Sequence, residues 1–383
     1  MLDFTISRSM HCGLKSGPRV GPYCAIAIPV RNEAESIARC LDAIERADQA
    51  DACIVATVLV LNGCTDATWD AVAAWTESST LPVLMVEVTL APQMNHAGGA
   101  RAVALQLALQ TLPGKPGDIV LTTDADSQVP TDWLARAVIG ISGGCDVIAG
   151  DFDIEAASLA RWPSALRRRV SIEDCYARLL DEVDALCDPV PHNPWPTHRR
   201  CSGANLVFRA DALAAFDTLP APPCGEDRAL VAACLARDMR VRHDPQLRVQ
   251  TSGRLKGRAA GGMAETLRMQ DVRRESPCDP LLEAFAPHVH RALVRSRLRR
   301  HFQPGISAEG LMNAMGLRTM RIRDGLGSIP CHYFGQAWQQ IESMAVDLMR
   351  VPLQPSQLPG EIDAARTWLA ARCTTRFHDE VAA

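Results

Sequence analysis

Between residues 23 and 270, short apolar runs alternate with stretches of helical periodicity, and this alternation restricts the fold more than any other feature. A strand that leads through a helix to another strand predicts an α/β fold, here a mostly parallel, Rossmann-type sheet flanked by helices. The runs are Cys24–Val30, Val58–Leu61, Val83–Val88, Asp118–Thr123 and Asp146–Ala149. Aromatic residues make up only 5% of the chain, so Ala, Val, Leu and Ile have to fill the core. Three regions are expected: an N-terminal leader over 1–22, the α/β domain over 23–270, and a helical C-terminal region over 271–383.

Helix starts carry their own signals. Asn32 with Glu35 reads as a capping box ahead of Ile37, Cys40, Leu41 and Ile44. Asn62-Gly63 is a hairpin signal in isolation, yet a helix with Val72 and Trp75 on one face follows, with Thr65 or Asp66 as its cap. A turn at Gly98-Gly99 opens a helix that runs to about Leu112.

Composition excludes several function classes. The net charge is −4, which argues against a broad cationic surface for nucleic acid. The 14 cysteines, Cys12, Cys24, Cys40, Cys53 and Cys64 among them, form no C-x-x-C pair, so zinc knuckles and thioredoxin-like chemistry are disfavoured; several, such as Cys40, fall on apolar stripes where a free thiol acts as a small hydrophobe, and a reducing, cytoplasmic setting is expected. No apolar run approaches the ~18 residues of an integral membrane span. No G-x-x-x-x-G-K-[ST] phosphate loop is present.

Polar clusters stand where the strands end, the ligand side of an open α/β sheet. Asp124-Ala125-Asp126 follows a Val-Leu-Thr-Thr run, and its two carboxylates are hard oxygen ligands suited to Mg²⁺ or Mn²⁺, or else they punctuate a turn. Glu226-Asp227 opens a helical run, as a general base near a substrate hydroxyl or as acidic residues favoured at a helix start. Cys201-Ser202-Gly203-Ala204-Asn205 is a small-residue segment that lets the backbone approach a ligand. Thr251-Ser252-Gly253-Arg254, with Lys256 and Arg258, can supply cations to a diphosphate.

Taken in order, Pro29-Val30-Arg31-Asn32-Glu33, Leu61 to Asp66, the D-x-D motif at Asp124 to Asp126, Ser202 to Asn205 and Gly225-Glu226-Asp227 resemble glycosyltransferase family 2 over residues 23–258. The resemblance implies a GT-A fold, a nucleotide-sugar donor (most commonly a UDP-sugar), a divalent cation, and inverting transfer to an acceptor hydroxyl. The acceptor class stays open: a saccharide, a lipid-linked species or a small molecule. By the same resemblance, Pro29, Arg31 and Glu33 border the nucleoside, Asn62 and Asp66 lie by the base, and Arg101 lies near the nucleotide. Asp124 faces ribose or metal, Asp126 binds the metal, Gly203, Ala204 and Asn205 line the sugar or acceptor pocket, and Asp227, with Glu226 beside it, deprotonates the acceptor. Asn62 stands where many relatives carry an acid. Thr251-Ser252 occupies the place of a late His, and His243 reads as a structural hydrogen bonder. A sugar-phosphate nucleotidyltransferase and a non-catalytic nucleotide-sugar binder are the rival classes.

In the last region, Arg291, Arg295, Arg297, Arg299 and Arg300 interleave with Leu293, Val294 and Leu298. A solvated helix face with an apolar side is favoured over a peripheral membrane contact.

Overall fold

The computed structural model describes residues 3–13, 22–51, 54–257, 261–317, 320–323 and 327–381; Cys53 and Arg258 lie outside them. The strands are β1 (Phe4–Cys12), β2 (Cys24–Val30), β3 (Ile54–Asn62), β4 (Val83–Leu90), β5 (Ile119–Thr122), β6 (Val147–Ile154), β7 (Leu206–Arg209) and β8 (Val241–Thr251). The first helices are α1 (Ile37–Asp51), α2 (Thr68–Thr76), α3 (Ala97–Thr111), α4 (Trp133–Ser142), α5 (Ala156–Arg161) and α6 (Ser164–Cys187). Then come α7 (Ala210–Ala214), α8 (Glu226–Leu235), α9 (Met263–Val272), α10 (Phe285–His301), α11 (Ala308–Ala314), α12 (Phe334–Met344) and α13 (Leu358–Val381).

The chain forms two compact units. The first comprises Met1–Arg161, Arg200–Cys234 and Met239–Thr266; the second comprises Trp162–Arg199, Leu235–Asp238 and Leu267–Ala383. This division differs from the expected boundary near residue 270, because α6 belongs with the C-terminal helices. The expected leader also differs: Phe4–Cys12 is an edge strand paired antiparallel with β4. Its side chains are mostly exposed, so it lacks the apolar signature of the inner strands, and backbone hydrogen bonds place it.

The first unit is an eight-stranded sheet in the order β1-β4-β3-β2-β5-β7-β6-β8. Strands β2, β3, β4 and β5 run parallel, β7 runs antiparallel to β5 and β6, and β8 is parallel to β6. Helices cover both faces, so the inner strands are apolar on both sides. Ile26, Ile28, Leu59 and Leu61 pack on one face with Ile37, Leu41, Trp133 and Leu134. Ala25, Ala27, Val58 and Val60 pack on the other with Val103, Ala104, Leu230 and Val231.

This topology collects loops at one edge. The carboxyl ends of β2, β3 and β5 coincide because the strands are parallel. The start of β7 joins them, since Leu206 pairs with Thr122 at the end of β5.

Asn32 does not cap α1, which begins at Ile37. Its φ is 56°, and its Oδ1 accepts the Thr65 N–H at 2.7 Å, tying the end of β2 to the loop after β3. The N–H groups of Ser36 and Ile37 instead reach the Glu33 carbonyl at 3.0 and 2.9 Å.

In the second unit, Tyr176, Leu180 and Val183 of α6 pack with Phe285, Leu358 and Ile362. The expected solvated arginine face on α10 holds only in part: Arg297, Arg299 and Arg300 are exposed, whereas Arg291 and Arg295 are drawn into ion pairs. Arg291 is 3% exposed and pairs with Glu283, which is fully buried, while Arg295 pairs with Asp188 at 2.6 Å and Asp184 at 3.2 Å. No described helix is long and apolar enough to cross a membrane.

Candidate active site

Arg101 is the centre of the site. It sits one turn into α3 and is 5% exposed. Its Nε donates to Glu226 Oε1 at 3.1 Å and its Nη2 to Asp124 Oδ1 at 2.6 Å. Its Nη1 donates to Thr122 Oγ1 and to the Gly203 carbonyl, both at 2.8 Å. One planar guanidinium therefore joins the end of β5, the segment before β7 and the start of α8. Burial alone would lower the Arg101 pKa, but the Asp124 and Glu226 carboxylates outweigh it and hold the group charged.

Two glycines make this approach possible. At Gly203 an added Cβ would overlap the Arg101 guanidinium. At Gly98 it would meet the Pro222 carbonyl and, at 3.0 Å, the Glu226 Cβ. The small residues thus let backbone come close to protein groups, with Arg101 packed against Gly203 and α3 against the loop that precedes α8.

Asp227 follows Glu226 in the first turn of α8 and is partly exposed. Its Oδ2 accepts the Gly203 N–H at 3.0 Å and its Oδ1 accepts the Arg228 N–H at 2.7 Å. Burial and the neighbouring Glu226 charge push its pKa up; the two N–H groups and Arg101 oppose the rise. A carboxylate fixed in this way, with lone pairs left over, is a Brønsted base of increased strength.

A second cluster lies beside the first. Arg254 donates to Glu33 Oε2 at 3.0 Å and Oε1 at 2.6 Å, and stands 3.2 Å from Asp126 Oδ2. The Glu33 carboxylate also accepts the Ser36 hydroxyl. Burial and the Asp124 charge push Asp126 up to about 7, with Arg254 acting in the opposite sense and Glu33 adding to the rise. Crowded, half-buried carboxylates of this kind are stabilised in their charged form by a cation. Asp124 and Asp126 offer hard oxygen donors of the type a divalent ion takes. Among the described residues no group of three or more His, Cys, Asp or Glu side chains is placed to hold a metal ion.

Arg101, Asp124, Gly203, Glu226 and Asp227 therefore form one contact group, and Glu33, Asp126 and Arg254 form another. Other expected residues stand apart from them. Asn205 is fully buried: its Nδ2 donates to the carbonyls of Asp151 and Leu247 at 2.9 and 2.7 Å, and its Oδ1 accepts the Trp133 Nε1–H at 2.9 Å. Ala204 is 1% exposed within the core. These two do not line an open pocket, because β7 begins there and the sheet encloses them. Asp66 is exposed and accepts the Ala34 and Thr68 N–H groups at 3.2 and 3.1 Å, supporting the loop that carries Glu33. Asn62 is 4% exposed at the end of β3, Pro29 lies within β2 opposite Val60, and Arg31 is exposed just beyond β2. The His243 Nε2 stands 3.7 Å from Cys201 Sγ. Thr122, Thr68 and Ser36 escape sequence reasoning, since a threonine or serine in an apolar run or helix start carries no spacing signal.

Residues 25–214 match the model of Glycosyl transferase family 2. No curated protein matches the chain. Among solved structures, it is similar to the mannosyltransferase PcManGT from Pyrobaculum calidifontis in complex with GDP-Man and Mn²⁺, at 19% identity over 78% of this chain and 80% of that one, with a TM-score of 0.46. It is also similar to S. aureus TarS 1-349 in complex with UDP, at 15% identity over 73% and 71% of the two chains, TM-score 0.43. A third is glucosyl-3-phosphoglycerate synthase from Mycobacterium tuberculosis, solved with Mn²⁺, UDP-glucose and phosphoglyceric acid, at 15% identity over 67% and 84%, TM-score 0.39. Through residues 25–214 the chain belongs to glycosyltransferase family 2, and it is a glycosyltransferase.

Proposed function

We propose that the protein transfers a sugar from a nucleoside diphosphate sugar to an acceptor hydroxyl with inversion, with Asp227 as the general base. The observation that carries this is the meeting of Asp124 and Glu226 on one guanidinium, at 2.6 and 3.1 Å. It brings the D-x-D segment and the first turn of α8 to a single edge of the sheet. Direct displacement needs stabilisation of the leaving group and a base that comes from elsewhere in the chain.

Asp124 and Asp126 would hold a Mg²⁺ or Mn²⁺ ion, which neutralises charge developing on the leaving diphosphate when bound. Arg254, between Glu33 and Asp126, places a second positive charge for the same diphosphate. The Gly203 and Arg228 N–H groups orient Asp227, whose raised pKa suits it to take the acceptor proton. Glu226, tied to Arg101, keeps α8 against the end of β5.

A panel of UDP- and GDP-sugars, each with Mn²⁺ or Mg²⁺, tests this proposal, with the anomeric configuration of the product read by NMR coupling constants. Inverted product is expected from one donor class. Retained configuration, or pyrophosphate release from a nucleoside triphosphate and a sugar phosphate, would replace the proposal.

A further inference from the structure

We infer that Arg101 is a positioning residue that couples the carboxylates at the end of β5 to the base on α8, an inference that rests on the glycosyl transfer proposed above. The guanidinium is 5% exposed, with its donors directed at four protein acceptors, so its effect on the reaction runs through those groups. The coupling runs through Glu226, next to the base on α8, and through Gly203. Gly203 accepts from Arg101 with its carbonyl and donates to Asp227 Oδ2 with its N–H. Moving Arg101 therefore shifts the peptide segment that orients the base. The same guanidinium holds Asp124 Oδ1, so the placement of one carboxylate at the cation side depends on the placement of α8.

Lysine carries the charge but not the planar fork, and cannot span acceptors on three chain segments. Arg101→Lys separates charge from geometry for this reason. Among the described residues, the charged and titratable groups near Asp227 include Glu226 and Arg228 on its own helix, Arg101 from α3 and the Cys201 thiol from the segment before β7.

The test compares wild type and Arg101→Lys in three readouts: kcat and KM for the donor, the pH profile of kcat/KM, and melting temperature. Expected in Arg101→Lys are a fall in kcat of about 100-fold, the scale of misplacing a catalytic group by about 1 Å, a donor KM within about 3-fold of wild type, and an acidic limb moved to higher pH. The direction follows because Arg101 and the Gly203 N–H both lower the Asp227 pKa, and loosening either raises it. A raised KM with unchanged kcat and pH profile would overturn the inference and make Arg101 a donor contact. Should Arg101→Lys fail to fold, Thr122→Val removes one acceptor of the same guanidinium; lowered kcat at constant KM then supports the coupling, and unchanged kcat overturns it. A wild type that transfers no sugar from any donor defeats the proposed function itself, a result distinct from an active wild type whose Arg101→Lys variant behaves identically.

Discussion

Replacing Asn205 by Ala should damage the fold and spare the chemistry. The side chain is fully buried and makes three hydrogen bonds, to the Asp151 and Leu247 carbonyls and from the Trp133 indole. Truncation leaves one N–H and two carbonyls without these partners, in a region closed to water. Each orphaned group costs about 1–2 kcal/mol, so the total is about 4 kcal/mol. At about 2–4 °C per kcal/mol for a unit of this size, the transition of the sheet-containing unit should fall by roughly 8–16 °C. Differential scanning calorimetry reads the shift, and kinetics well below the transition should give kcat and donor KM within about 2-fold of wild type. Asn205→Asp should be at least as harmful, since it turns a carboxylate toward two carbonyls. A variant of unchanged stability with a strongly raised KM would refute the reasoning and return Asn205 to the ligand pocket.

Gly203→Ala should displace the Arg101 guanidinium and lower kcat by about 100-fold or more; activity near wild type would mean that the contact is dispensable. In the second unit, Glu283→Ala leaves Arg291 and Arg350 without a buried carboxylate, which should cost about 3–5 kcal/mol, checked by the calorimetric transition of that unit. The same unit should be acid-labile. At Asp188, burial works against ionisation, but Arg299 and Arg295 outweigh it, and at Asp184 Arg295 and His288 do the same, so both are held below the usual carboxylate range. A depressed folded pKa stabilises above the unfolded value of about 3.9, and this contribution is lost as pH falls below about 4 through the folded value. A circular dichroism titration should show that loss, and Asp188→Asn should flatten it; a flat wild-type curve would contradict the assignment.

The readable parts of the fold are those set by local pattern. The alternation of Ala25, Ala27 with Ile26, Ile28 marks a strand covered on both faces, and Asp124 and Asp126 are visible because a short apolar run ends on them. Glu226 and Asp227 are visible for the same local reason, at the start of a helical run. What escapes is set by distance along the chain. Arg101 reaches Thr122, Asp124, Gly203 and Glu226, partners 21 to 125 residues away, and no spacing rule encodes such a cluster. Asn32 follows the capping pattern but, at a φ of 56°, turns its side chain to Thr65, a tertiary contact that overrides the local preference. Ala204 and Asn205 read as ligand-facing because small residues signal close approach. They are enclosed instead, because β7 inserts antiparallel between β5 and β6, a topology that a βαβ pattern does not announce.

The central claim is that the acids at the end of β5 serve the donor side and Asp227 serves the acceptor proton, within one site. Calorimetric titration of UDP and GDP in the presence of Mn²⁺, paired with turnover, for Asp126→Ala and Asp227→Asn tests it most directly. Asp126→Ala should abolish cation-dependent nucleotide binding; Asp227→Asn should bind nucleotide as tightly as wild type while kcat falls by about 1000-fold or more. Equal binding in both variants, or undiminished turnover in Asp227→Asn, would contradict the division of roles.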